Sequence, residues 1–180
     1  MVGKIKPQLT HFALFTTDLA KMEDFYTRVM GLTVTDRGGA SSAPVEMIFM
    51  SSSPDEHHQF VLLSGRPDDV DFRLNQQMSF LVESLDELRE MRDAALEAGM
   101  ENMREATHGN AWSIYFDDPE QNMVEIYVHT PWYIRQPHLV PIDLDKSDDE
   151  IYAETEAHCR EQDGFMMAEE RRSEMARMIG

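Results

Sequence analysis

The sequence has a single cysteine, a deficit of positive charge and no long apolar run, and each shortage removes a class of protein. Cys159 is alone, so no intrachain disulfide forms and the fold rests on core packing. Lys and Arg total 16 against 34 Asp and Glu, a net charge of −18, and that field repels nucleic acid and anionic membrane surfaces. Neither is expected as a partner. No apolar run approaches the roughly 20 residues that span a bilayer, and Met1 to Pro7 carry no apolar stretch of the signal-peptide kind. A cytoplasmic protein is expected. What is present is 180 residues of 42% hydrophobic composition, enough for the core of one domain and too few for a second large one.

Residues 8–16 alternate as a half-buried strand, with Phe12 and Leu14 on one face and His11, Ala13 and Phe15 on the other. A helix follows: Asp18 is placed to cap it, Leu19, Met22, Phe25, Tyr26 and Val29 fall at helical spacing, and Gly31 ends it. Strands are expected over 32–36, 45–51 and 57–63, divided by the turn-rich Gly38-Gly39-Ala40-Ser41-Ser42 and Ser51-Ser52-Ser53-Pro54-Asp55. The order βαβββ results, and it then begins again. Residues 77–83 alternate with Met78, Phe80 and Val82 on one face, and Ser84 with Glu87 forms a capping box ahead of Leu85, Leu88 and Leu96. Gly99 ends that helix. Strands over 103–107, 112–117 and 123–128 follow, the last two joined by the tight turn Pro119-Glu120-Gln121-Asn122. Laying one module on the other puts His11 on Gln77, Asp18 on Ser84, Leu19 on Leu85 and Met22 on Leu88.

The fold class expected is therefore α+β: two βαβββ modules, about 8–64 and 75–128, forming a cupped mixed sheet within a domain of residues 1–130. Residues 131–180 read as an extension with helices near 148–161 and 167–178, the first opened by a capping box of Ser147 and Glu150. Ile151 and Met175 are among too few apolar residues for a core of its own, so the extension is expected to pack on the domain or on a second subunit.

On the strand faces turned from the helices, the alternation places His11, His58, Gln77, Tyr115 and Glu125, and a curved sheet aims them inward. Imidazole nitrogens with a carboxylate suit a divalent first-row metal, and a Gln amide oxygen adds a neutral ligand. Other readings compete. A lone strand histidine such as His11 is more often a satisfied structural group than a ligand, and Gln77 and Tyr115 taken singly also read as structural. Glu125 is harder to set aside: Val124, Ile126 and Val128 mark one buried face, Met123 and Tyr127 share its own, and a carboxylate between apolar neighbours needs a partner. His57 and His108 read equally as surface groups, and the 14 methionines as core and interface filler.

The segments Leu9-Thr10-His11-Phe12-Ala13-Leu14, Phe25-Tyr26, Gly31-Leu32 and Ser84-Leu85-Asp86-Glu87-Leu88 recur with His108-Gly109-Asn110-Ala111-Trp112-Ser113-Ile114-Tyr115-Phe116-Asp117-Asp118-Pro119-Glu120-Gln121-Asn122-Met123-Val124-Glu125. Together, over roughly residues 8–128, this pattern resembles the vicinal oxygen chelate superfamily. Within it the chain is most similar to single-domain type I extradiol dioxygenases, which cleave catechol-type rings beside the two hydroxyls with Fe(II) and oxygen. The resemblance implies that His11 is the first-strand metal ligand, Glu125 the carboxylate ligand, His58 the acid–base histidine and Tyr115 the active-site tyrosine, with His108 near a supporting histidine. Gln77 stands where those enzymes carry a second ligand histidine. Glyoxalase-like members take four ligands from four equivalent strand positions, some of them Gln, and by that resemblance His11, His58, Gln77 and Glu125 fall on the four.

The leading expectation is thus a dioxygenase that binds a divalent metal, Fe(II) ahead of Mn, Ni or Zn, and takes a small aromatic substrate and oxygen. A metal-dependent isomerase or lyase, in which the metal polarises a carbonyl or enediolate, stands second. A binding module that sequesters a small aromatic without chemistry stands third. The resemblance also implies a homodimer, with Trp132 to Pro137 and the helical extension as an embracing arm.

Overall fold

A computed structural model describes residues 8–39, 45–67 and 76–179. The chain divides into two compact units, Met1–Leu74 and Asn75–Gly180. In the first, strand β1 (Phe12–Thr16) leads into helix α1 (Leu19–Asp24), which widens into a π-helical turn over Phe25–Val29, and strands β2 (Thr33–Gly39), β3 (Glu46–Ser51) and β4 (Phe60–Ser64) follow. They form a sheet of order β1-β4-β3-β2, with β1 parallel to β4 and the other pairs antiparallel. Asp18 caps α1 by accepting the Lys21 N–H at 3.0 Å. Met22, Phe25, Tyr26 and Val29 are all buried, the Tyr26 ring sits 4.4 Å from that of Phe60, and Ile48, Met50 and Leu62 are buried on the strands. Each such side chain contributes roughly 1.5–3 kcal/mol by leaving water.

Two strand expectations shorten here. β1 begins at Phe12 rather than residue 8, and β4 at Phe60 rather than 57, so His11 and His58 each precede a strand instead of lying within it. The cause near His58 is local: the Gln59 carboxamide accepts from the Ser52 N–H and hydroxyl, which occupies this segment in closing the 51–59 turn. The expected alternation in β1 holds, with Leu14 and Thr16 buried and Ala13 and Phe15 exposed, but Phe12 at the start of the strand is 41% exposed. The part of the first expected turn over 40–42 lies outside the described residues.

The second unit repeats the order with β5 (Met78–Leu81), α2 (Leu85–Glu97), β6 (Glu101–Thr107), β7 (Ala111–Asp117) and β8 (Met123–His129). It then adds β9 (Trp132–Tyr133), β10 (Val140–Pro141), α3 (Asp148–Arg160), β11 (Met166–Met167) and α4 (Ala168–Ile179). The sheet order is β10-β6-β7-β8-β5, and β5 runs parallel to β8 as β1 does to β4. Ser84 caps α2, but the Glu87 carboxylate accepts from the Glu83 N–H at 2.7 Å rather than from Ser84, so the expected box is only half formed. Ser147 and Glu150 form theirs in full.

Helix α3 packs on the unit's own sheet. Ile151, Thr155 and Cys159 are buried along one stripe, the Trp112 indole N–H donates to the Thr155 hydroxyl at 2.8 Å, and the Tyr152 ring lies 4.7 Å from Trp112 and 5.9 Å from Trp132. Helix α4 buries no residue. Among the described residues no helix is long and apolar enough to cross a membrane.

This packing closes tightly on Gly109, where φ is +80°. A Cβ there would stand 2.5 Å from Ile134 Cδ1 and 3.2 Å from Cys159 Sγ. Left-handed backbone strain and overpacking then add, so Gly109→Ala is expected to lower stability by about 2–4 kcal/mol. Urea unfolding followed through tryptophan fluorescence measures it, and an unchanged midpoint would remove Gly109 from this role.

Candidate active site

Strand β8 places Val124, Ile126 and Val128 in the core and turns Glu125 to the other face, where it is 6% exposed. Sheet register decides its neighbours. Glu125 pairs directly with Tyr115 on β7 and with Ser79 on β5, so both project from the same sheet face beside it. Oε2 accepts from the Ser79 hydroxyl at 2.5 Å and from Gln77 Nε2 at 2.8 Å, while Oε1 accepts from the Tyr115 hydroxyl at 2.5 Å. Gln77 Nε2 also donates to Ser79 Oγ at 2.9 Å. His108 stands behind Tyr115 with Nε2 2.5 Å from the phenol oxygen and 3.6 Å from Glu125 Oε1. Arg104, paired with Tyr115 on β6, lies 5.2 Å over its ring.

Burial on its own raises the Glu125 carboxyl, but hydrogen bonds from His108, Ser79 and Tyr115 outweigh it and hold the group at about 2. Tyr115 is pushed well above the ordinary phenol range, first by burial and then by the neighbouring carboxylate. His108 is raised, chiefly by Glu125 and against its own burial, with help from the His138 carbonyl. Proton counting agrees. Nδ1 sits 2.7 Å from a carbonyl that only accepts, so it carries hydrogen; the Tyr115 proton goes to Glu125, so the short Nε2 contact takes a second one. The imidazolium satisfies every contact.

In the first unit, His11 and His58 have ring centroids 4.7 Å apart, and His58 Nδ1 is 2.9 Å from His57 Nδ1. Burial first, then His11 and His57, lower the His58 imidazole against the pull of Glu56. The pairing that sets Ser79 beside Glu125 sets Ala13 beside Val61 in the first sheet. Val61 is a buried apolar residue, so the first-module counterpart of Glu125 is Val61 and not His58, which corrects the four-position expectation.

Gln77, His108, Tyr115 and Glu125 are thus brought together in one unit, and His11 and His58 in the other. Ser79 was passed over as a site residue, although its two-residue spacing from Gln77 on an alternating strand is a readable signal. His138 and Arg104 left none, because non-local packing places them. Against a divalent metal, the donors fit in kind: two imidazoles in the first unit, a carboxylate and an amide in the second. Among the described residues, neither unit gathers three His, Cys, Asp or Glu side chains that could hold one.

A family model described as the Glyoxalase/Bleomycin resistance protein/Dioxygenase superfamily matches residues 8–126. A curated relative, biphenyl-2,3-diol 1,2-dioxygenase 3 of Rhodococcus globerulus, is 28% identical over 129 residues, which cover 69% of this chain and 64% of that protein. The match thus spans less than two thirds of that relative's length. Among solved structures, the glyoxylase/bleomycin resistance protein/dioxygenase domain from Frankia sp. EAN1pec has a TM-score of 0.58 at 20% identity, covering 70% of this chain and 100% of that one. The fosfomycin resistance protein FosX of Listeria monocytogenes, complexed with Mn(II) and sulfate, has a TM-score of 0.55 at 20% identity, covering 70% and 95%. At these identities the structural likeness is one of fold.

A carboxyl held at about 2 instead of 4.5 contributes stability that is present at neutral pH and lost as pH falls through that interval. In metal-free protein the loss from this group is about 3 kcal/mol between pH 5 and pH 2. Glu125→Gln is expected to lack that part of the profile, so its unfolding free energy converges on the wild-type value in acid. Parallel pH profiles of the two proteins would contradict the hydrogen-bonding account.

Proposed function

Because the chain belongs to the glyoxalase/bleomycin resistance protein/dioxygenase superfamily, we propose that it is a metal-dependent, extradiol-type dioxygenase. Its substrate is a catechol-like aromatic opened beside the two hydroxyls, with oxygen as the second substrate. The observation that carries this reading is Tyr115, whose hydroxyl is held between the Glu125 carboxylate and the His108 imidazole at 2.5 Å from each. A metal shell alone has no use for such a group. The relative named biphenyl-2,3-diol 1,2-dioxygenase 3 supports the same chemistry.

Members of this superfamily bind divalent metals, as the Mn(II) complex of FosX illustrates. For this chain the reading takes Fe(II) first, with Mn, Ni or Zn as substitutes, and offers His11, Gln77 and Glu125 as ligands, with His58 kept for acid–base work. When bound, the metal supplies Lewis acidity toward a vicinal diol and, as Fe(II), electrons for oxygen chemistry. The chain's own residues do the rest. His58, lowered by burial and by two neighbouring imidazoles, stays neutral and accepts a proton from the diol at its free ring nitrogen. Burial and the Glu125 carboxylate keep Tyr115 uncharged, so that it turns its one hydroxyl proton from Glu125 to a substrate oxygen while His108 keeps the phenol oriented. A cytoplasmic homodimer completes the reading.

The test is anaerobic loading with Fe(II), followed by oxygen uptake on a catechol panel that includes 2,3-dihydroxybiphenyl. One oxygen consumed per ring opened is expected, and Tyr115→Phe is expected to lower kcat about 10²-fold without loss of metal. No uptake from fully loaded protein ends the proposal. Turnover without oxygen and with a redox-inactive metal would move the assignment to an isomerase or lyase, a class whose four-ligand form Val61 already weakens.

A further inference from the structure

Beyond the two modules, residues 131–160 return to His108 from two sides. On one side the chain at 134–138 closes a small ring of hydrogen bonds. His108 Nδ1 donates to the His138 carbonyl at 2.7 Å, the His138 N–H donates to Gln136 Oε1 at 3.0 Å, and Gln136 Nε2 donates to the His108 carbonyl at 2.8 Å. On the other side α3 grips the residue next to His108, with the Cys159 thiol 3.7 Å from the Gly109 carbonyl. The two approaches are joined where His138 Nε2 meets His158 Nε2 of α3 at 2.9 Å.

A neutral imidazole has two tautomers, and the hydrogen bond made by one nitrogen decides what the other offers. A carbonyl facing Nδ1 accepts only, so it selects Nδ1–H and leaves Nε2 to face the Tyr115 hydroxyl with a lone pair, or with a second proton when the ring is charged. The opposite tautomer would set two lone pairs against each other at 2.7 Å. The carbonyl is fixed only as firmly as the His138 residue that bears it, and the side chain of that residue is anchored on α3.

We infer that His138 and His158 are positioning residues which keep hydrogen on His108 Nδ1, so that Nε2 is the nitrogen left to face Tyr115. The C-terminal extension thereby sets the protonation geometry of the Glu125 cluster, whose other members, Ser79, Gln77 and Tyr115, come from the second module. Consequences for turnover rest on the proposed dioxygenase reading; the tautomer does not.

The experiment is long-range ¹H–¹⁵N correlation of the imidazole nitrogens in full-length, metal-free protein above the titration of His108. Wild type is expected to show one tautomer, protonated at Nδ1. In His158→Phe, which keeps bulk but removes the nitrogen, the Nδ1–H share is expected to fall by about half, and His158→Gln, which retains a polar contact to His138, restores it. If the reaction is as proposed, kcat falls with the Nδ1–H share while KM holds. If no catechol is turned over, the nitrogen shifts still decide. Should His158→Phe lose α3 by circular dichroism, His138→Phe is measured in its place. Unchanged His108 nitrogens in a disrupting variant with α3 intact overturn the inference, as does a wild type protonated at Nε2 alone.

Discussion

A carboxylate that leaves water must find donors, and Glu125 finds Ser79, Gln77 and Tyr115 within 2.8 Å, with His108 just beyond. The second unit is arranged around that need. Parallel pairing of β5 with β8 brings Ser79 alongside, antiparallel pairing of β7 with β8 brings Tyr115, and the next strand sets Arg104 over the phenol ring. A one-residue slip of β5 or of β7 against β8 would turn its donor to the helix side and leave the buried carboxylate short of a partner. The specificity of the register and the chemistry of the site therefore have one origin.

That coupling explains what could be read from the sequence. Alternation along β8 marked Glu125 as an ionisable group on a face of its own, and two copies of one hydrophobic pattern gave the module order. Periodicity reports which face a side chain occupies and is silent about which strand lies beside it. Hence His11 and Gln77 matched by repeat, yet His58 was taken as the first-module counterpart of Glu125 when sheet register gives that place to Val61. The resemblance supplied Tyr115 and Glu125 together. Beyond residue 128 it named no site residue, and His138 and His158 are near His108 only because α3 folds back.

The extension is held by contacts that an acidic chain would not obviously afford. Arg92 on α2 reaches Glu105 at 3.0 Å and Asp145 at 2.9 Å, and Arg89 reaches the Leu144 and Lys146 carbonyls and Asp148. In a chain of net charge −18, these two arginines offset carboxylate repulsion where the extension leaves the sheet. Helix α3 is thereby tied to α2 at its start and to Trp112 and Gly109 along its length.

Val61 gives the repeat a division of labour. Both units share the parallel pairing of first and last strands, but only one keeps a charge at that junction; the other fills it with a methyl-bearing side chain that has no desolvation cost. Function and stability compete most sharply where a polar group is buried. A duplicated architecture lets that conflict be borne by one half, while its twin is free to be the sturdier of the two.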